Sequence, residues 1–252
     1  MLSKNQVKYL HSLRLGKFRD LDRVFLAEGI KLVDELLNSH FGIQSIYATG
    51  KWIELRSDIL SAKQIQVQEI SDEELKRVSS QVTPSEVIAV VAYPESKIPP
   101  IDSFGKIILV LDRIQDPGNL GTIIRTADWF GIKHIICSED TVDVYNPKVV
   151  QSTMGSICRV SMHYTSIKSL IEKLGKYWNI YGTIPGGENI YEAQLLYPAA
   201  IMIGNESKGI SEEYLPLLTR RIGIPSFSDG AESLNASVAA GIVCSEFSRR
   251  LK

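Results

Sequence analysis

Hydrophobic and polar positions change period several times along the chain, and each change marks an element. Leu32, Val33, Leu36 and Leu37 recur at helical spacing and predict a helix near 29–39, after a leading helix near 4–15 and a strand near 23–27. The run Ile43 to Ala48 predicts a strand, followed by a helical stretch near 52–61 and a short strand from Ile65 to Val67. Ser71 with Glu74 has the spacing of a capping box, so a helix opens there, and the apolar run Val87 to Tyr93 predicts another strand. Residues 1–93 therefore read as one α/β unit. Pro94, Pro99 and Pro100 mark 94–105 as a linker, because proline continues neither a ladder nor a helix.

The pattern restarts with Ile107 to Leu111, an unbroken apolar run suited to a strand buried on both faces of a parallel sheet. Pro117 and Gly118 open a helix whose stripe is Leu120, Ile123, Ile124, Ala127 and Phe130, and Gly131 stops it. Strands are predicted near 133–137, 158–162, 179–183, 200–204 and 221–224, alternating with helices, and a last helix runs from Asn235 towards Leu251. Such alternation predicts a second domain, 106–252, with a parallel sheet covered on both faces.

Composition narrows the function classes. The 252 residues are 44% hydrophobic and 23% charged, with no stretch apolar enough to span a membrane and no secretory leader, so a cytoplasmic protein is expected. Cys137, Cys158 and Cys244 lack metal-ligand spacing and read as reduced core thiols; His11, His40, His134 and His163 are scattered, so no metal is expected. A net charge of −1 gives no global pull on nucleic acid. A local patch exists: Lys4, Lys8, Arg14, Lys17, Arg19 and Arg23 outnumber Asp20 and Asp22 and are interleaved with Tyr9 and Phe18, either as an RNA-binding surface or as a solvated helix face.

Ligands of an open α/β sheet bind beyond the carboxyl ends of its strands, which directs attention to three loops. They are Asp112 to Gly131, Gly204 to Ser211, and Ile224 to Gly241, each rich in glycine and small polar residues. No GxGxxG follows a strand and no GxxxxGK[ST] occurs, which weakens dehydrogenase, kinase and Rossmann-type methyltransferase readings together. Asn119 with Arg125, then Asn205-Glu206 before Gly209, then Ser233-Leu234-Asn235 before Ser237 and Ala239, in this order, resemble the SpoU (TrmH-like) family of RNA 2′-O-methyltransferases in the SPOUT superfamily. The resemblance covers about 106–252. More loosely, and including Glu28-Gly29, residues 1–93 are similar to the small L30e-like substrate-binding domain that often precedes it. Ser207 stands where many relatives have glycine, and Ser226 to Gly230 departs from the common Pro-Met form.

The resemblance implies a trefoil-knotted SPOUT domain, S-adenosyl-L-methionine as cofactor, a homodimer, and methyl transfer to a ribose 2′-hydroxyl of structured RNA, ribosomal in preference to transfer RNA. An RNA-binding relative without activity and a tRNA base methyltransferase of another SPOUT branch are the alternatives. Gly204, Ile224 and Leu234 would hold the cofactor; taken singly they read as a turn glycine and two core residues. Asn119, Arg125, Glu206, Ser233 and Asn235 would form the catalytic site. Arg125 faces away from its helix's apolar stripe, as a solvated arginine also would. Asn119, Ser233 and Asn235 are equally suited to capping helices, and Glu206 either orders its loop or handles a proton.

Overall fold

The computed structural model describes residues 1–95, 98–228, 230 and 232–251; parts of the expected linker (96 and 97) and of the last loop (229 and 231) lie outside them. The chain divides into two compact units, Met1–Glu95 with Asp143–Cys158, and Ser96–Val142 with Arg159–Lys252.

In the first unit, α1 (Lys4–Ser12) and α2 (Gly16–Asp22) lead into β1 (Val24–Glu28), α3 (Ile30–Leu37) and β2 (Ile43–Ala48). Then come α4 (Gly50–Glu54), α5 (Ser57–Lys63), β3 (Gln66–Glu69), α6 (Asp72–Val78) and β4 (Val87–Ala92). The predicted helix over 52–61 is thus two short helices, and the leading helix ends early enough for α2 to form. The capping box at Ser71 and Glu74 is present as the sequence suggests. The strands order β1-β4-β2-β3, antiparallel except for the parallel pair β2–β3. Leu10, Leu13, Leu26, Leu75 and Val90 are among the side chains of one core cluster.

The leading basic segment is only partly a surface. Arg19 is 3% exposed, bonds Asp143 at 2.5 Å, and donates to the carbonyls of Leu13 and Arg14. Arg14 donates to the carbonyls of Val78 and Ser79, closing the end of α6. Both are structural, which leaves Lys4, Lys8 and Lys17 exposed in this stretch, together with Arg23 stacked over Tyr93. Asp143–Cys158 belongs to this unit through Asp143 and through Tyr145, whose ring stacks on Phe25 and Tyr93.

The second unit begins its sheet with β5 (Ile107–Leu111), followed by α7 (Pro117–Trp129) and β6 (His134–Cys137). After α8 (Pro147–Ser152), which lies in the first unit, come β7 (Ser161–Tyr164), α9 (Ile167–Leu174), β8 (Asn179–Asn189), β9 (Ala199–Ile203), β10 (Arg220–Gly223) and α10 (Ala236–Arg250). The strand expected at 158–162 starts later, because a left-handed Met154 and Gly155 lead into a 3-10 turn at Ser156–Cys158. All six strands are parallel in the order β10-β8-β9-β5-β6-β7. The strict alternation with helices fails late: no α-helix separates β8 from β9, and only a 3-10 helix separates β9 from β10. Every residue of β5 and β9 is buried, as their apolar runs require. Cys137 and Cys244 are buried free thiols, the latter pushed up to about 12 by desolvation; Cys158 is half-buried. No described helix is long and apolar enough to cross a membrane.

Candidate active site

From β5 the chain moves outward through β6 and β7, whereas β9 leads to β10 on the other side, so the ends of the adjacent strands β5 and β9 form a topological switch point. The loops leaving these two ends are fastened to each other. Asp112, 1% exposed, accepts from both the backbone N–H and the hydroxyl of Ser211 at 2.6 Å. Arg113 adopts a left-handed φ of 56°, donates its N–H to Ser138 at 2.8 Å, and offers its carbonyl to Asn205 Nδ2 at 2.8 Å. Between these anchors the chain turns on itself: a Cβ on Gly204 would lie 2.2 Å from the carbonyl carbon of Gly209, so only glycine permits the approach. Ser207 is tolerated in place of glycine because the left-handed residue of the turn is Gly209 (φ 68°).

A second set of bonds ties this turn to two helix starts. Asp116, not Asn119, caps α7, accepting the Asn119 N–H at 2.8 Å and leaving the buried Asn119 side chain free for other bonds. Asn235 caps α10, and its Oδ1 accepts from the N–H groups of Ser237 and Val238. Its Nδ2 then donates to Asn119 Oδ1 at 2.9 Å, and Asn119 Nδ2 donates to Glu206 Oε1 at 2.9 Å. From the other side Asn205, whose Oδ1 is held by the N–H groups of Ser207 and Lys208, donates Nδ2 to Glu206 Oε2 at 3.3 Å. Backbone N–H groups cannot reverse, so they fix the orientation of both terminal amides, and through Asn235 that of Asn119. Glu206 therefore receives donors at both oxygens and must act as an acceptor.

Beside this relay lies a cavity of about 950 Å³, within the size range of small-molecule sites. Gly204, Ile224 and Leu234 all line it, with Glu206 and Ser233. Leu234, read singly as a core residue, is half-exposed here and forms wall. Asn119, Asn235 and Arg125 are not in the lining. The two asparagines stand behind Glu206, while Arg125 is exposed on α7 with no hydrogen bond or ion pair among the described residues. Sequence reasoning missed two contributors. One is the Asp112–Ser211 fastening. The other is an irregularity in β8, where pairing with β10 jumps from Gly182 to Glu188, so that Thr183 to Gly187 bulge into the cavity wall. Pro185-Gly186-Gly187 was the signal available for that bulge.

The sheet also pairs two histidines far apart in sequence: His134 Nδ1 lies 3.2 Å from His163 Nε2 across β6 and β7. Burial, reinforced by His134, pushes His163 down to about 4. Among the described residues no three His, Cys, Asp or Glu side chains gather as a metal site.

Residues 106–245 match the SpoU rRNA Methylase family, and residues 4–89 match an MRM3-like substrate binding domain. The chain is 32% identical over 244 residues to the 23S rRNA (guanosine(2553)-2'-O)-methyltransferase RlmP of Bacillus subtilis, covering 96% of this chain and 95% of that protein. A putative RNA methyltransferase of the TrmH family from Porphyromonas gingivalis is similar in structure with a TM-score of 0.87, at 37% identity and 99% coverage of both chains. An AdoMet-bound rRNA methyltransferase from Sinorhizobium meliloti gives a TM-score of 0.89 at 29% identity, covering 100% of this chain and 97% of the other.

Proposed function

The chain belongs to the SpoU rRNA Methylase family, and from that premise we propose that it transfers a methyl group from S-adenosylmethionine to a ribose 2′-hydroxyl of ribosomal RNA. The observation that carries the reading is the convergence of three sequence-distant loops on one cavity, with Gly204, Ile224 and Leu234 in its wall and Glu206 held at its side. The cavity suits the cofactor. Ile224, Leu234 and Ala239 offer apolar surface to a purine, and the glycine turn at Gly204 brings backbone polar groups to its wall. When bound, the cofactor supplies a methyl group already activated by its sulfonium.

The protein's own task is then placement. Asn119, Asn235 and Glu206 lock the loops through their one-directional relay, which supports an ordering role for Glu206 over a proton-accepting one. Ser233, in the loop two residues before the Asn235 cap of α10, lines the cavity and is assigned to substrate contact. A free guanidinium stays protonated, so Arg125 orients the ribose and its phosphate by paired donors and stabilises negative charge developing on the oxygen. Its exposure, with no hydrogen bond or ion pair among the described residues, leaves those donors available.

We assign residues 1–93 to RNA binding, 94–105 to a linker and 106–252 to methyl transfer in a trefoil-knotted domain, acting as a cytoplasmic homodimer. Trp129 on α7 is 84% exposed and Val238 on α10 is half-exposed, which supports association through these helices, whereas Val243 is buried and belongs to the core. Mapping 2′-O-methyl groups in ribosomal RNA from cells with and without the gene tests the reading. One nucleotide should lose its methyl group without the gene, and an unchanged map would refute it.

A further inference from the structure

The cavity wall holds two cations, Lys208 and Arg221, and the second has no hydrogen bond or ion pair among the described residues. Arg220 and Arg221 are neighbours on β10, but they are used differently. Arg220 lies 3.6 Å from Glu188, whereas Arg221 lines the cavity and has no hydrogen bond or ion pair among the described residues. Its position is rigid on one side: β10 pairs with β8, and a Cβ on Gly187 would meet the carbonyl carbon of Ile222 at 2.6 Å, so the β8 bulge is pressed against the strand that carries Arg221.

We infer that Arg221 is the carboxylate subsite of this cavity and binds the α-carboxylate of the cofactor's methionyl group; the inference rests on the cofactor reading above. S-adenosylmethionine carries one anionic group and two cationic ones, so a cavity that takes it gains most from a single cation aimed at the carboxylate. The guanidinium offers two parallel N–H donors that match the two oxygens. Both wall cations, Arg221 and Lys208, are exposed, but Lys208 sits in the turn beside Glu206 and is a single-point donor on a flexible stem. Glu206 is already occupied by Asn119 and Asn205 and gives Arg221 no competing partner.

Titration calorimetry with two ligands isolates the contact. S-adenosylmethionine and its decarboxylated analogue are each titrated into the full chain and into Arg221→Met, Arg221→Lys and Lys208→Met. Arg221→Met should weaken S-adenosylmethionine by about 10- to 100-fold, the loss typical of hydrogen bonds to a charged group, and leave the analogue within about twofold. Arg221→Lys should fall between, and Lys208→Met should leave the ratio of the two ligands unchanged. An equal loss for both ligands would make Arg221 a structural residue and overturn the inference. So would unchanged cofactor affinity with weakened RNA affinity, which would place a phosphate on Arg221 instead. If the wild-type chain bound neither ligand, the cofactor reading itself would fall and take this inference with it.

Discussion

Replacing Glu206 by glutamine preserves shape and removes only charge and acceptor capacity, which makes it the sharpest probe of the relay. In the wild-type chain both carboxylate oxygens receive amide donors, from Asn119 and Asn205, and those amides cannot flip because Asn235 and Asn205 are each held by two backbone N–H groups. Glutamine can accept from one of them and must turn its own NH₂ towards the other. One hydrogen bond to a charged group is lost, worth about 1.5–3 kcal/mol, another becomes neutral, and a donor faces a donor. If about 2–4 kcal/mol of loop ordering is lost in the transition state, single-turnover methyl transfer should fall by about 30- to 1,000-fold. The residual activity should keep the wild-type pH profile, because a positioning group contributes no proton transfer. Single-turnover transfer across pH, with thermal melting alongside, measures both. A near-normal rate would refute the relay argument, and disappearance of the acid limb would make Glu206 the proton acceptor.

Other perturbations have equally defined outcomes. Arg125→Ala should lower transfer by about 10² to 10³ while cofactor affinity by calorimetry stays near wild type, as expected for a charge-stabilising donor outside the cavity wall. Leu234→Glu should do the reverse first, weakening cofactor binding by placing a charge in the apolar wall. Reversing Lys4 and Lys8, which are exposed and have no partners among the described residues, should weaken RNA binding and lower its salt slope by about 1 to 2; Arg14, being structural, is left intact. Asp143→Ala should cost about 2 kcal/mol in chemical denaturation, less than for a fully buried pair because Asp143 is partly exposed while Arg19 is not. His163, pushed down to about 4, binds its proton in the unfolded chain first, so stability should fall as pH drops from about 6.5 to 4; His163→Leu should remove that group's share, on the order of 3 kcal/mol, in melts across pH.

Much of this architecture is visible in periodicity because it rests on local patterns. The unbroken run Ile107 to Leu111 belongs to a strand buried on both faces, and the stripe from Leu120 to Ala127 is the buried face of α7. The motif residues Gly204, Ile224 and Leu234 were visible by resemblance, although each alone resembles a turn or core residue. What periodicity cannot carry is pairing between distant segments. Nothing in the sequence near Asp143 announces that Arg19 will be its partner, and His134 and His163 meet only because β6 and β7 are neighbours. Asn119 shows the same limit at the site. Its place after Pro117-Gly118 suits a cap, but Asp116 takes the cap and frees the side chain for Glu206 and Asn235.

Alkaline digestion tests directly whether the methyl group is transferred to a ribose oxygen. Purified chain is incubated with ribosomal RNA and methyl-labelled S-adenosylmethionine, the RNA is hydrolysed in alkali, and the labelled product is identified by mass. A 2′-O-methyl group removes the nucleophile that alkali needs, so the label should appear in an alkali-resistant dinucleotide at one position and should be nearly absent with Arg125→Ala. Label in mononucleotides, which would place the methyl group on a base, or no incorporation into RNA, would contradict the account.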